Sequence, residues 1–313
     1  MRYVGMVTQQ KINNIKSVIL LISFPIVLLL LLYIGCFFYS SFVHVDHKML
    51  FYQIGPFIIL GVLIWFIIAY YINVRIIDFA TDARSLRRSE SFRVYNLVEN
   101  LCISCGMRIP NIHVIEDDAM NAFASGVSHN SYTITLTTGI IKKLNDNELE
   151  AVIAHELTHI RNNDVRLLII SIVFVGIFAL LSQISMRFNF YGRSVVRATR
   201  GRGGIAFLAI MIITMVLAYI GYGLSMLIRF AISRKREYMA DAGAARLTRN
   251  PLALASALKK ISGRSCLIKK QDESIAQLFI EHSPPERPEL GFLNIFYSTH
   301  PPIEKRIRIL EQF

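Results

Sequence analysis

Residues 145–159 read Asn145-Asp-Asn-Glu148-Leu-Glu-Ala-Val-Ile-Ala-His155-Glu156-Leu-Thr-His159, and the reading of the whole chain works outward from them. Asn145 followed three residues later by Glu148 is a capping-box pair that opens a helix, expected to run to about Asn162. Positions four apart share a helix face, so His155 and His159 can reach one ion. Glu156 sits beside the first histidine, where its carboxylate can approach a water on that ion without ligating it. Zinc lowers the pKa of such a water to about 7, and the glutamate takes its proton as it attacks a carbonyl. Leu149, Val152, Ile153, Leu157 and Ile160 are available to pack the same helix. Two surface histidines on an amphipathic helix share this spacing, so a third ligand has to decide between the readings.

A histidine-extended version of the motif needs His at position 165 and Gly at 162, and the chain has Val165 and Asn162 there. The alternative is a carboxylate from a second helix. Glu237-Tyr-Met-Ala-Asp241 offers two carboxylates one turn apart, and Glu237 completes a His₂Glu set with one position open for water. Asp241 is then placed to accept a hydrogen bond from a ligand imidazole N–H. A solvated acidic face among Arg234, Lys235 and Arg236 is the competing reading. The expectation is one Zn2+ per chain on His155, His159 and Glu237.

Of the 313 residues, 53% are hydrophobic and only 18% charged, too apolar for an average soluble protein. The excess lies in four runs: Ser17–Phe42, Phe51–Val74, Leu167–Met186 and Ile205–Ile228. Each holds roughly the 20 residues that cross about 30 Å of hydrocarbon. The first two, closely spaced, read as an anchor hairpin and not a cleaved leader. The net charge of +12 gathers at the ends of these runs and not in a phosphate-binding patch, so no nucleic-acid partner is expected. Arg2, Lys11 and Lys16 precede the first run; Arg75, Arg84, Arg87, Arg88 and Arg93 follow the second. The link His44–Leu50 has only Lys48, offset by Asp46. Positively charged flanks favour the cytoplasm, which puts the zinc site on the cytoplasmic side. Because the histidines and Glu237 must meet, the third and fourth runs cross together or not at all. Five arginines between them (Arg187, Arg193, Arg197, Arg200 and Arg202) oppose crossing; the length of both runs favours it and prevails.

Asp78–Gly106 reads as an amphipathic helix, and Asn111–Glu116, Asn121–Val127 and Tyr132–Thr137 as strands, the last two joined in a hairpin. Helices are expected near Arg234–Thr248, from Asn250-Pro251 onward, and after Pro302 with Ile303, Ile307 and Leu310 on one face. Cys102-Ile-Ser-Cys105 has no second pair with which to form a four-cysteine site, and reads as small helix residues. The expected fold is α+β, mainly α: an integral membrane protein with four apolar helices and a zincin-like (gluzincin) catalytic domain. Its segments are an anchor hairpin (1–74), a first catalytic part (75–164), a second apolar pair (165–230) and a second catalytic part (231–313).

Four ordered motifs carry a family resemblance: Asn121-Ala-Phe-Ala-Ser-Gly126, Glu148 to His159, Ser233-Arg-Lys-Arg-Glu-Tyr-Met-Ala-Asp-Ala-Gly243 and Ser298-Thr-His-Pro-Pro302. Over most of residues 75–313 the chain resembles the HtpX-type heat-shock proteases of bacterial membranes, kin of the eukaryotic prenyl-protein proteases. The resemblance implies a zinc endopeptidase of the bacterial inner membrane that acts on misfolded or damaged membrane proteins. It also implies that Asn121 binds the substrate main chain, that His300 stabilises the oxyanion, and that Arg306 pairs with an acid near the metal, Asp241. Tyr132–Thr137 is then an edge strand able to take an extended peptide. Prenyl-protein processing would want a larger helical chamber, and a scaffold with a degenerate protease domain would have lost a ligand or the base. The oligomeric state is left open.

Overall fold

Among the described residues helix dominates, with one small sheet beside the histidine helix. The computed structural model describes residues 6–43, 45–169, 215, 216, 219–221, 223, 236–262 and 301–312. The chain divides into two compact units, residues 16–71 with 170–229, and residues 1–15 with 72–169 and 230–313.

Helices α1 (Met6–Val43) and α2 (His47–Thr81) contain the first two apolar runs. Among the described residues one stretch, the 22 residues His47–Ile68, is long and apolar enough to cross a bilayer; Pro25–Ser40 in α1 is a shorter apolar stretch. Their large side chains point outward, Tyr52 being 75% and Phe57 74% exposed. Apart from the helical residues 167–169, the third run lies outside the described residues, as does most of the fourth.

The second unit carries a four-stranded sheet in the order β1-β2-β4-β3. Strands β1 (Arg84–Ser85) and β2 (Asn111–Ile115) are antiparallel, β2 and β4 (Thr133–Thr137) parallel, and β3 (Ala122–Ser125) and β4 antiparallel. The register stacks Ile112, Ile134 and Ala124 across one face, with Val114, Leu136 and Ala122 beside them, all buried. Gly126 turns the β3–β4 hairpin at a φ of 98°, where any Cβ would run into the Ser131 carbonyl.

Two expectations are corrected here. Tyr132–Thr137 is not an edge: β4 lies between β2 and β3, and among the described residues β3 is the edge strand on that side. Nor is Asp78–Gly106 one helix. Asp82 takes a left-handed φ of 56°, β1 pairs onto β2, and the helix restarts as α3 (Phe92–Cys105). A polar stretch at Ser89-Glu90-Ser91 supplies the N-cap, with Ser91 accepting from the Val94 N–H. Cys102 packs inside α3, where burial, aided by Cys105, pushes its thiol up to about 12.

After the short α4 (Thr138–Lys143), α5 (Asp146–Arg161) begins with the full capping box between Asn145 and Glu148. Arg93 of α3 ties down this entry, donating to the carbonyls of Ile141 at 2.6 Å and Leu144 at 2.7 Å. Leu149, Val152, Ile153 and Leu157 are fully buried, each worth about 1.5–3 kcal/mol against exposure. α5 packs against β3, β4, α3 and α7 (Pro251–Ile261), and α7 in turn against α8 (Ile303–Leu310). Between α5 and α7 in sequence, residues 236–248 form α6. Asn250 and Pro251 start α7 as a cap and a first-turn proline.

Candidate metal centre

α5 is buried along most of its length, and its polar residues at 155 and 156 are buried with it. His155 is 2% exposed, Glu156 3%, and Glu237 on α6 6%. Such a cluster is costly to bury unless its charges are paired. Pairing is what the geometry provides. The Nε2 atoms of His155 and His159 lie 3.2 Å apart. The Glu237 carboxylate faces both, with Oε2 3.6 Å from His155 Nε2 and Oε1 3.4 Å from His159 Nε2.

α6 reaches this depth because Gly243 lies against Thr158. A methyl at Gly243 would sit 2.8 Å from Thr158 Oγ1, which is itself held by a 2.8 Å bond to the Ala154 carbonyl. Both helices can therefore approach closely enough for one carboxylate to meet two imidazoles.

The far side of each ring is also engaged. His155 Nδ1 is 3.1 Å from Asp241 Oδ1, and His159 Nδ1 is 3.1 Å from Asp164 Oδ2. Carboxylates at both Nδ1 atoms favour the N–H there and leave both Nε2 lone pairs turned toward the same point. Two lone pairs and a carboxylate converging on one point repel unless something positive joins them. Their donor atoms lie within 4.8 Å of one another, and among the described residues this trio is the one His/Cys/Asp/Glu group suited to a metal. Electrostatics agrees: burial works to lower the His155 pKa, yet Asp241 and Glu237 outweigh it and raise it to about 9. The site favours positive charge, and nitrogen and oxygen donors in this number suit zinc.

Arg306 completes the surroundings. Its guanidinium, 1% exposed, forks onto Asp241 through Nε at 2.9 Å and Nη2 at 2.7 Å. Burial opposes ionisation of Asp241, but Arg306 and His155 hold its carboxyl below the usual range. Arg306 Nη1 stands 3.6 Å from Glu237 Oε2. On α8 the face expected from Ile303, Ile307 and Leu310 is thus shared. Leu310 is fully buried, but Arg306 displaces the two isoleucines to half-buried positions because its charge has partners inside.

A family model described as Peptidase family M48 matches residues 89–313. The chain belongs to peptidase family M48. It is 54% identical to "Protease HtpX homolog" of Bacteroides fragilis strain YCH46 over the full length of both chains. Homologs with the same description from Tropheryma whipplei strain TW08/27 and Dictyoglomus thermophilum are 37% and 36% identical, covering 78% and 91% of this chain and 80% and 88% of theirs. The crystal structure of S. mikatae Ste24p is also similar, with a TM-score of 0.48 and 21% identity over 97% of this chain and 67% of that one. Family membership makes the chain a metallopeptidase.

In this M48 peptidase, Asn121 is buried immediately before β3, and its Oδ1 accepts from the Ala122 N–H at 2.9 Å. His300 lies outside the described residues. Two residues beside the trio were not singled out from sequence: Asp164, on His159, and Arg236, whose Nη1 donates to the Asp164 carbonyl at 2.9 Å. The helix was expected to end at about Asn162, and no spacing rule places a residue beyond that stop, so Asp164 drew no role. The available signal was Asn162-Asn163, a pair that favours a helix stop and a turn.

Proposed function

We propose that this M48 peptidase is a membrane-anchored zinc endopeptidase, with one Zn2+ on His155, His159 and Glu237 and with Glu156 as general base. The observation that carries the reading is the convergence of the two Nε2 atoms and the Glu237 carboxylate within 4.8 Å. Zn2+ bound there supplies Lewis acidity that acidifies a water and polarises the scissile carbonyl. Glu156, buried beside His155, takes the water's proton on a carboxylate oxygen and returns it to the leaving amine nitrogen. Asp241, braced by Arg306, holds His155 in its Nδ1–H form. Asn121 binds the substrate main chain at the start of the edge strand β3, and His300 donates to the oxyanion. Among the described residues β3, and not β4, is the edge strand to which an extended peptide would add.

The substrates are misfolded or damaged membrane proteins of a bacterial plasma membrane. The chain crosses that membrane more than once, with the site on the cytoplasmic side. The apolar stretch His47–Ile68 and the basic residues Arg75, Arg84, Arg87, Arg88 and Arg93 that follow it support this placement. The test uses detergent-purified protein with casein as substrate. Wild type is expected to carry one zinc per chain and cleave; Glu156→Gln is expected to keep the zinc and lose cleavage by about 10²-fold or more. Full cleavage by the zinc-loaded variant would remove Glu156 from its role, and full cleavage by zinc-free wild type would remove the metal.

A further inference from the structure

The two histidines are braced by carboxylates from different places. Asp241 lies on α6, the helix that also carries Glu237. Asp164 comes five residues after His159, and in an uninterrupted helix that offset points about 140° away around the axis. The chain does not continue as a helix: α5 ends at Arg161, Asn162 caps it, and Asn163 takes a left-handed φ of 58°. Asparagine is among the few residues that visit this region readily. Asn163 is tied in place by the Tyr132 hydroxyl, which donates to its Oδ1 at 3.2 Å. Helix resumes over 164–169. That single reversal carries the Asp164 carboxylate, 3% exposed, onto His159 Nδ1. Its backbone carbonyl meanwhile accepts from Arg236, the buried residue directly before Glu237.

We propose that Asp164 is a positioning residue for the metal site. Its carboxylate holds His159 with Nε2 turned toward the ion, and its carbonyl anchors Arg236 on α6 and so steadies the neighbouring Glu237. One buried turn thereby aligns ligands from two helices. The inference rests on the reading of His155, His159 and Glu237 as a zinc site. Hydrogen bonds from ligand imidazoles to carboxylates raise ligand basicity and fix ring orientation.

The experiment uses the full-length protein in detergent and three readouts: zinc affinity by competition with a chelating dye, the visible spectrum of the cobalt(II) form, and melting of the metal-free protein. Asp164→Asn keeps the size and one acceptor oxygen but loses the charge; Asp164→Leu loses both. Zinc affinity is expected to fall by about 10–100-fold, further in Asp164→Leu, with displaced cobalt bands and metal-free melting close to wild type. If Asp164→Leu does not fold, the isosteric Asp164→Asn decides. Wild-type zinc affinity and an unmoved cobalt spectrum in Asp164→Asn overturn the proposal, whether or not its melting falls. Failure of the underlying site reading looks different: Glu237→Ala would then hold zinc as tightly as wild type.

Discussion

Around His155 the side chains are ordered by charge. Arg306 neutralises Asp241, Asp241 orients His155, and His155 and Glu237 look toward the same point. Removing a group that would touch the ion should therefore cost more than removing one that acts through a ring. Glu237→Ala is expected to lose zinc affinity by well over 100-fold, and Asp241→Asn by about 10–100-fold. Dye competition at matched free metal measures both, and equal retention would mean that the third ligand lies elsewhere. Replacing Arg306 with Met should disturb Asp241 more than a surface arginine could. It leaves a carboxylate buried and uncompensated, a change of a kind that costs about 3–5 kcal/mol.

Among the helices, α5 and α6 depend on the contact between Thr158 and Gly243. Thr158 is β-branched and its hydroxyl donates to the Ala154 carbonyl, so it yields little to an added methyl. Gly243→Ala is expected to cost about 1–3 kcal/mol by overpacking and to weaken zinc binding by moving Glu237. Thr158→Ala should restore both in the double variant; a Gly243→Ala protein with wild-type melting and zinc affinity would show that the helices do not approach this closely. At the other end of α5, Glu148 joins the cap to α7, accepting from Ser256 at 2.7 Å and Lys260 at 2.7 Å. Burial pushes its pKa up, but Lys260, Asn145 and Ser256 together bring it below the ordinary value. A folded pKa below the unfolded one means that the stabilisation is complete above the unfolded value and is lost as pH falls through the folded one. Wild type should thus out-melt Glu148→Gln by about 1–2 kcal/mol at neutral pH, and the gap should close below about pH 4.3. A gap that does not change down to pH 3 would contradict this ion pairing.

For the molecule as a whole, the consequential claim is the side of the membrane on which the site works. Lys48 and Arg87 are both exposed, one in the first turn of the apolar stretch His47–Ile68 and one beyond its far end. With native cysteines replaced, a cysteine at Lys48 is expected to react with an impermeant thiol reagent added to intact cells. One at Arg87 should react only after the membrane is opened. The reverse pattern would place the metal centre outside, and equal labelling from outside would mean that His47–Ile68 does not cross. The link 187–204, where charge and length disagree, lies outside the described residues.

Local chemistry alone determined much of this protein. The capping box at Asn145 and Glu148, the face shared by His155 and His159, the Asn250-Pro251 start of α7 and the two N-terminal apolar runs all follow from interactions within about four residues or from hydropathy. The pairing of Arg306 with Asp241 was expected from resemblance alone, since no spacing rule links residues 65 apart. Only tertiary structure decided the rest. Strand order depends on which ladders close across the chain, so among the described residues β3 and not Tyr132–Thr137 became the edge. Arg306 is buried because its partners lie on other helices, which no helix-face count registers. Asp164 meets His159 because the backbone reverses at Asn163, just past the expected end of α5, and no local rule fixes where a side chain beyond a helix stop will lie.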